Sequence, residues 1–135
     1  DYAGMKISNT ELKNCNYIDL IKNQIILNNY KTDKTYGTKK INIPTYILEL
    51  ITRWIKYNDS GYLLINIRQG DPMTKNGLTK YLNKIFKPKK VSTTILRKVY
   101  LSNKYPVLYN RKDMKNDAYV MGHSIDTQQS IYTKK

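Results

Sequence analysis

One cysteine and one histidine occur in 135 residues, and each scarcity closes a class of mechanism. A lone Cys15 has no partner for an internal disulfide, so a secreted scaffold stapled by bridges is excluded. One Cys and one His do not make a zinc site within a single chain. No apolar run approaches the roughly 18 residues that cross a bilayer, and no secretory leader is recognisable. Acidic residues are scarce as well. Clustered carboxylates for a metal-dependent nuclease are therefore hard to find. Asp113 and Asp117 share a helix face, but Lys112 and Lys115 surround them, which reads as charge balance on a solvated helix.

What is present is positive charge. Twenty-four Lys and Arg stand against ten Asp and Glu, a net charge of +14. Such a surplus repels itself in a compact fold, and nucleic acid is the usual partner that neutralises it. Hydrophobic residues make up 40% of the chain and charged residues 25%, ordinary for a globular protein. A chain of this length buries roughly 68% of its unfolded surface, enough for one core and too little for two comfortable ones. It begins with Asp1 inside sequence that reads as ordered, so we expect a piece of a longer protein.

Periodicity gives the order of elements. Residues 24–30 and 38–43 are β-rich runs joined by a polar turn containing Gly37, a hairpin that ends at Pro44. From Thr45 the spacing turns helical, with Ile47, Leu48, Leu50, Ile51, Trp54 and Ile55 on one stripe. Tyr62 to Ile67 reads as a third strand, and Thr74 caps a helix carrying Leu78, Tyr81, Leu82, Ile85 and Phe86. After the basic loop Lys87-Pro88-Lys89-Lys90, Ser92 or Thr93 caps a helix with Ile95, Leu96, Val99 and Tyr100 inward. Pro106 ends it. A last long helix spans Arg111 to Met121 and stops at Gly122. The expectation is an α+β domain over 1–135, mainly helical, with a small antiparallel three-stranded sheet.

Three stretches carry chemistry. Gly122-His123 is followed nine residues after the histidine by Tyr132; Leu96-Arg97 opens a helix 26 residues before His123; and Tyr30-Lys31-Thr32 faces Lys40-Ile41-Asn42-Ile43-Pro44 across the hairpin. In this order and spacing they resemble the signature boxes of the tyrosine recombinase (phage integrase) family. The general character of the sequence is similar to integrases of virophages and related elements of large DNA viruses.

The resemblance implies a catalytic domain that cuts and rejoins double-stranded DNA through a 3′-phosphotyrosyl intermediate, without metal, ATP or any cofactor. Tyr132 would be the nucleophile. Arg97, with a planar fork that matches two phosphate oxygens, would neutralise charge in the pentacoordinate state. His123 would donate to a non-bridging oxygen or move a proton. Lys31, read as ending the first hairpin strand, would protonate the departing 5′ oxygen, with Lys34 in the turn as the reserve. The family implies a homotetramer on DNA, no membrane partner, and an intracellular place wherever the target DNA lies, nucleus or viral factory included.

Two positions depart from the family pattern. Three residues before Arg97, where the family has His, stands Thr94, whose hydroxyl still donates. The family's first arginine either corresponds to Lys6 in Gly4-Met5-Lys6-Ile7-Ser8 or lies upstream of Asp1, the alignment we favour. The family's N-terminal clamp domain and its exchanged C-terminal helix find no counterpart in this sequence. Competing readings are a DNA-binding module with a decayed recombinase centre and an activity like that of type IB topoisomerases.

Overall fold

The computed structural model describes residues 2–104 and 111–122, the side chains of 111–114 excepted. The chain divides into two compact units, Asp1–Leu78 and Thr79–Lys135. It is an α+β protein. The sheet has four strands and is mixed, which corrects the three antiparallel strands expected from sequence.

In unit 1 the strands β1 (Lys6–Ser8), β2 (Tyr17–Asp19), β3 (Gln24–Leu27) and β4 (Lys39–Asn42) lie side by side in chain order. β1 pairs parallel with β2; the other two pairings are antiparallel. The β3–β4 hairpin is the one the sequence predicts. The strands it missed are β1 and β2, three residues each, with no alternation long enough to read. The expected strand over Tyr62 to Ile67 is absent as well: its residues make only the isolated bridges Lys6↔Tyr62 and Ile65↔Pro72. The run divides its backbone bonds between separate partners, the Leu63 N–H donating to the Met5 carbonyl at 2.8 Å and the Asn66 N–H to the Asp71 carbonyl at 2.8 Å, so no continuous ladder forms.

Side chains alternate across the sheet. Ile18, Ile25 and Ile41 stand opposite one another in a row on the inner face. Together with Met5, Leu27, Ile43 and Ile51 they build the core of unit 1. Ile51 belongs to α2 (Thr45–Ile55), which starts where Pro44 presets the backbone and its carbonyl accepts from the Leu48 N–H at 3.1 Å. Leu50, expected on the buried stripe, is exposed. Trp54 closes the other side by donating its indole N–H to the Leu63 carbonyl at 2.8 Å.

The turn between β2 and β3 is held by Asp19, whose Oδ1 accepts from the N–H groups of Ile21 (3.0 Å) and Lys22 (2.9 Å). Asn23 there takes the left-handed φ of 53° that asparagine tolerates. Three asparagines fasten the 12–16 loop to the end of β3. Asn16 Oδ1 accepts from the backbone of Asn28 and Asn29, while Asn28 Nδ2 donates to the carbonyls of Leu12 and Cys15.

A helix α3 (Lys75–Ile85) follows, with Thr74 Oγ1 accepting from the Gly77 N–H at 3.0 Å as its cap. In unit 2, Val91 N–H donates to Asn83 Oδ1 at 2.6 Å and leads into α4 (Thr93–Lys104). α5 (Arg111–Met121) ends at Gly122, whose φ of 77° is the left-handed stop anticipated for it. The inward assignment of Ile95, Leu96, Val99 and Tyr100 is wrong: all are exposed, and Leu101, at 0%, is the buried residue of α4.

Candidate active site

On α4 the residues Thr94, Arg97, Leu101 and Lys104 follow one another at helical spacings of three and four, so they share one face. Leu101 is its buried residue, while Thr94 and Lys104 at the two ends of the face are exposed. Lys104 has partners on either side. Its ammonium reaches the Asp117 carboxylate of α5 at 2.9 Å and the Tyr100 hydroxyl at 3.0 Å. Those contacts, the hydrogen bond to Tyr100 first and Asp117 after it, hold the Lys104 pKa above the usual lysine range. The pair also ties α5 to α4.

Arg97 is different. It is a half-buried residue at a position on the same face, yet no hydrogen bond or ion pair joins it to any described residue. Five N–H donors in a rigid fork thus have no acceptor from the described protein. Thr94, one turn earlier on the same face, is exposed. The structure therefore brings two of the expected site residues together. His123 and Tyr132 lie outside the described residues; α5 ends at Gly122, the residue before His123 in sequence.

The hairpin lysines do not lie where sequence put them. β3 stops at Leu27, so Lys31 is in the following turn and not at a strand end, and it is exposed. Lys34 belongs to a four-residue helix α1 (Asp33–Tyr36), also exposed, where an open turn was expected. The loop has its own scaffold: the Tyr30 hydroxyl donates to the Gly37 carbonyl at 2.6 Å and Thr38 Oγ1 meets Asn28 Oδ1 at 2.9 Å.

Sequence reasoning passed over Lys39. It opens β4 in register with Leu27 and is 2% exposed, on the inner face of the sheet. Its ammonium sits 4.7 Å from the Tyr30 ring centre and 5.4 Å from that of Tyr36, a two-ring cation–π cage. Burial pushes its pKa below the usual lysine value. The signal was available: residues 39, 41 and 43 alternate, so an inward Ile41 and Ile43 imply an inward Lys39. Lys6, the candidate for the family's first arginine, is half-buried in β1 with its ammonium 5.8 Å from the Tyr62 ring centre.

Among the described residues, no cluster of His, Cys, Asp and Glu has the makings of a metal site, and no helix is long and apolar enough to cross a membrane. Comparisons of the chain with protein-family models, with curated proteins and with solved structures find no match.

Proposed function

We propose that this chain is the catalytic domain of a tyrosine recombinase that cleaves and rejoins double-stranded DNA. The Tyr132 oxygen attacks phosphorus, the bond from phosphorus to the 5′ oxygen breaks, and a hairpin lysine delivers the proton that makes the departing 5′-hydroxyl. The DNA is then held as a 3′-phosphotyrosyl ester until a 5′-hydroxyl reverses the reaction. Arg97 neutralises the non-bridging oxygens, helped by His123 and the Thr94 hydroxyl.

The observation that carries this reading is Arg97. Arg97 is a half-buried residue, and the described residues offer its guanidinium no acceptor. A phosphate bound between its N–H groups would supply two oxygens in matching geometry. The 26-residue and nine-residue intervals to His123 and Tyr132 add the remaining groups in the family's order. By the same resemblance the working form is a homotetramer on DNA, inside the cell.

A decayed, DNA-binding module is the second reading, favoured by an exposed Thr94 in place of histidine and by a Lys6 engaged over Tyr62. A nicked suicide substrate separates the two. The recombinase reading expects a covalent protein–DNA adduct on denaturing gels that Tyr132→Phe abolishes while DNA affinity stays nearly unchanged. An adduct that survives in the Phe variant removes Tyr132 as nucleophile, and no adduct from the full-length protein leaves the binding module.

A further inference from the structure

The outer face of the unit 1 sheet holds a feature that the cleavage reading does not use. Tyr17, Ile26 and Lys40 stand directly opposite one another on β2, β3 and β4. Tyr17 and Ile26 are buried and form the floor of a recess of about 320 Å³. Lys40 rises from one side, Lys22 from the β2–β3 turn, and Lys13 from the loop that overhangs the sheet.

The three stems start from backbone that is fixed independently. Lys40 is in the β4 ladder, Lys22 follows the Asp19 cap with its own N–H bonded at 2.9 Å, and the Lys13 loop is tied by Asn28 Nδ2 to the Leu12 carbonyl at 2.7 Å. Fixed backbone at all three positions leaves only side-chain rotamer freedom to be given up when the lysines close on a ligand. Two carboxylates, Glu11 and Asp19, also line it, but among the described residues neither pairs with any of the three ammonium groups. Asp19 is buried with Oδ1 committed to the turn. The Thr38 hydroxyl lines the rim too, with its proton donated to Asn28 Oδ1 at 2.9 Å.

We infer that this recess is a phosphate-binding subsite outside the cleavage centre, and that a phosphodiester of bound DNA occupies it. Three lysines lining one recess from separate segments suit a tetrahedral anion with several acceptor oxygens better than a planar carboxylate. A polyanion also offsets the two nearby carboxylates through its contacts elsewhere on a chain of net charge +14. The choice of DNA as the source of the phosphate rests on the function proposed above; the phosphate chemistry of the recess does not.

The test compares two variants that lose equal charge in unit 1. One is Lys13→Gln, Lys22→Gln, Lys40→Gln; the other is Arg53→Gln, Lys56→Gln, Arg68→Gln, all exposed and away from the recess. Anisotropy with a short duplex should show the first variant about tenfold weaker, with a log–log salt slope shallower by about 1, the loss of one phosphate contact. The control should weaken less than about threefold on the same general-charge argument. Equal weakening of the two overturns the subsite and leaves DNA binding standing. If the unaltered chain does not bind duplex at all, the DNA source falls. Inorganic phosphate then decides the site by amide resonances. Saturable shifts at Tyr17, Lys22 and Thr38, absent in the first variant, retain a phosphate site for a small ester; no shifts eliminate it.

Discussion

The two units divide the work of the chain unevenly. Asp1–Leu78 carries eleven Lys and Arg against seven Asp and Glu; Thr79–Lys135 carries thirteen against three, leaving ten of the fourteen net positive charges in the shorter unit. Burial runs the other way. Unit 1 hides Met5, Tyr17, Ile18, Ile26, Leu27, Ile43 and Ile51, whereas unit 2 hides only Val91, Leu101 and Ala118 among its described hydrophobic residues. Four of the five residues assigned to the chemistry, Thr94, Arg97, His123 and Tyr132, are in unit 2. The contrast indicates that unit 1 supplies most of the apolar stabilisation among the described residues, while unit 2 concentrates the positive charge on which the proposed DNA binding would draw.

If that division holds, a core truncation in unit 1 has the largest effect on stability. Ile18→Ala removes a side chain with 1% exposure from the centre of the sheet and should cost about 2–5 kcal/mol in urea unfolding. Val99→Ala on α4, where the side chain is 54% exposed, should stay within about 0.5 kcal/mol. Comparable losses at the two positions would mean that the α4 surface is covered in solution, and the contrast between the units would be gone.

Chemistry should respond in the reverse pattern. With a full-length enzyme, Arg97→Ala should slow cleavage on the order of a hundredfold or more, because it removes a charge donor from the transition state. Thr94→Ala, one turn away on the same face, removes a neutral donor and should cost less. Equal and small effects at both positions would remove Arg97 from the site.

The hairpin lysine sharpens the comparison, because it is the one chemical role assigned to unit 1. A general acid matters less when the leaving group needs no proton. A substrate with sulfur in place of the bridging 5′ oxygen has such a leaving group. Lys31→Ala should be slow on normal DNA and largely restored on the sulfur substrate, whereas Lys34→Ala should be nearly normal on both. Restoration of Lys34→Ala would move the acid into α1. If Lys39→Met alone is restored, the caged ammonium is the donor and the hairpin must open to present it.

Much of this architecture could be read from residues. The hairpin, α2, the Thr74 cap and the span of α5 follow from period and from stop signals such as Pro44 and Gly122. What failed has a common cause. Helical spacing at Ile95, Leu96, Val99 and Tyr100 shows that one side of α4 is apolar, but the burial of a face depends on what covers it. Leu101 and Arg97 lie on the other side. Strand endings suffered likewise: nothing local in Asn28-Asn29-Tyr30 announces that their side chains and backbone leave the ladder for Asn16, Asn14 and Gly37. The resemblance to the family boxes rests on fixed spacings of residue types, so it could be drawn without reference to packing.

The smallest effect separates the units by pH. Lys39 in unit 1 has a folded pKa below its ordinary value of about 10.4, so between the lowered value and the ordinary one the unfolded chain binds more protons. Its contribution to stability must therefore rise with pH across that window. Lys104 in unit 2 has the opposite displacement. Its contribution is fully present below the ordinary lysine pKa and is lost as pH climbs from there through the raised one. The Lys104 side chain is 38% exposed, so solvent screens the pair and its share is at most about 1 kcal/mol. Urea midpoints measured from pH 8 to 10.5 should rise more steeply in the unaltered chain than in Lys39→Met, which keeps the stem and discards the charge. Asp117→Asn should leave that rise intact. A Lys39→Met curve parallel to that of the unaltered chain would show that the ammonium is solvated, and the two-ring cage would then have no electrostatic cost to relieve.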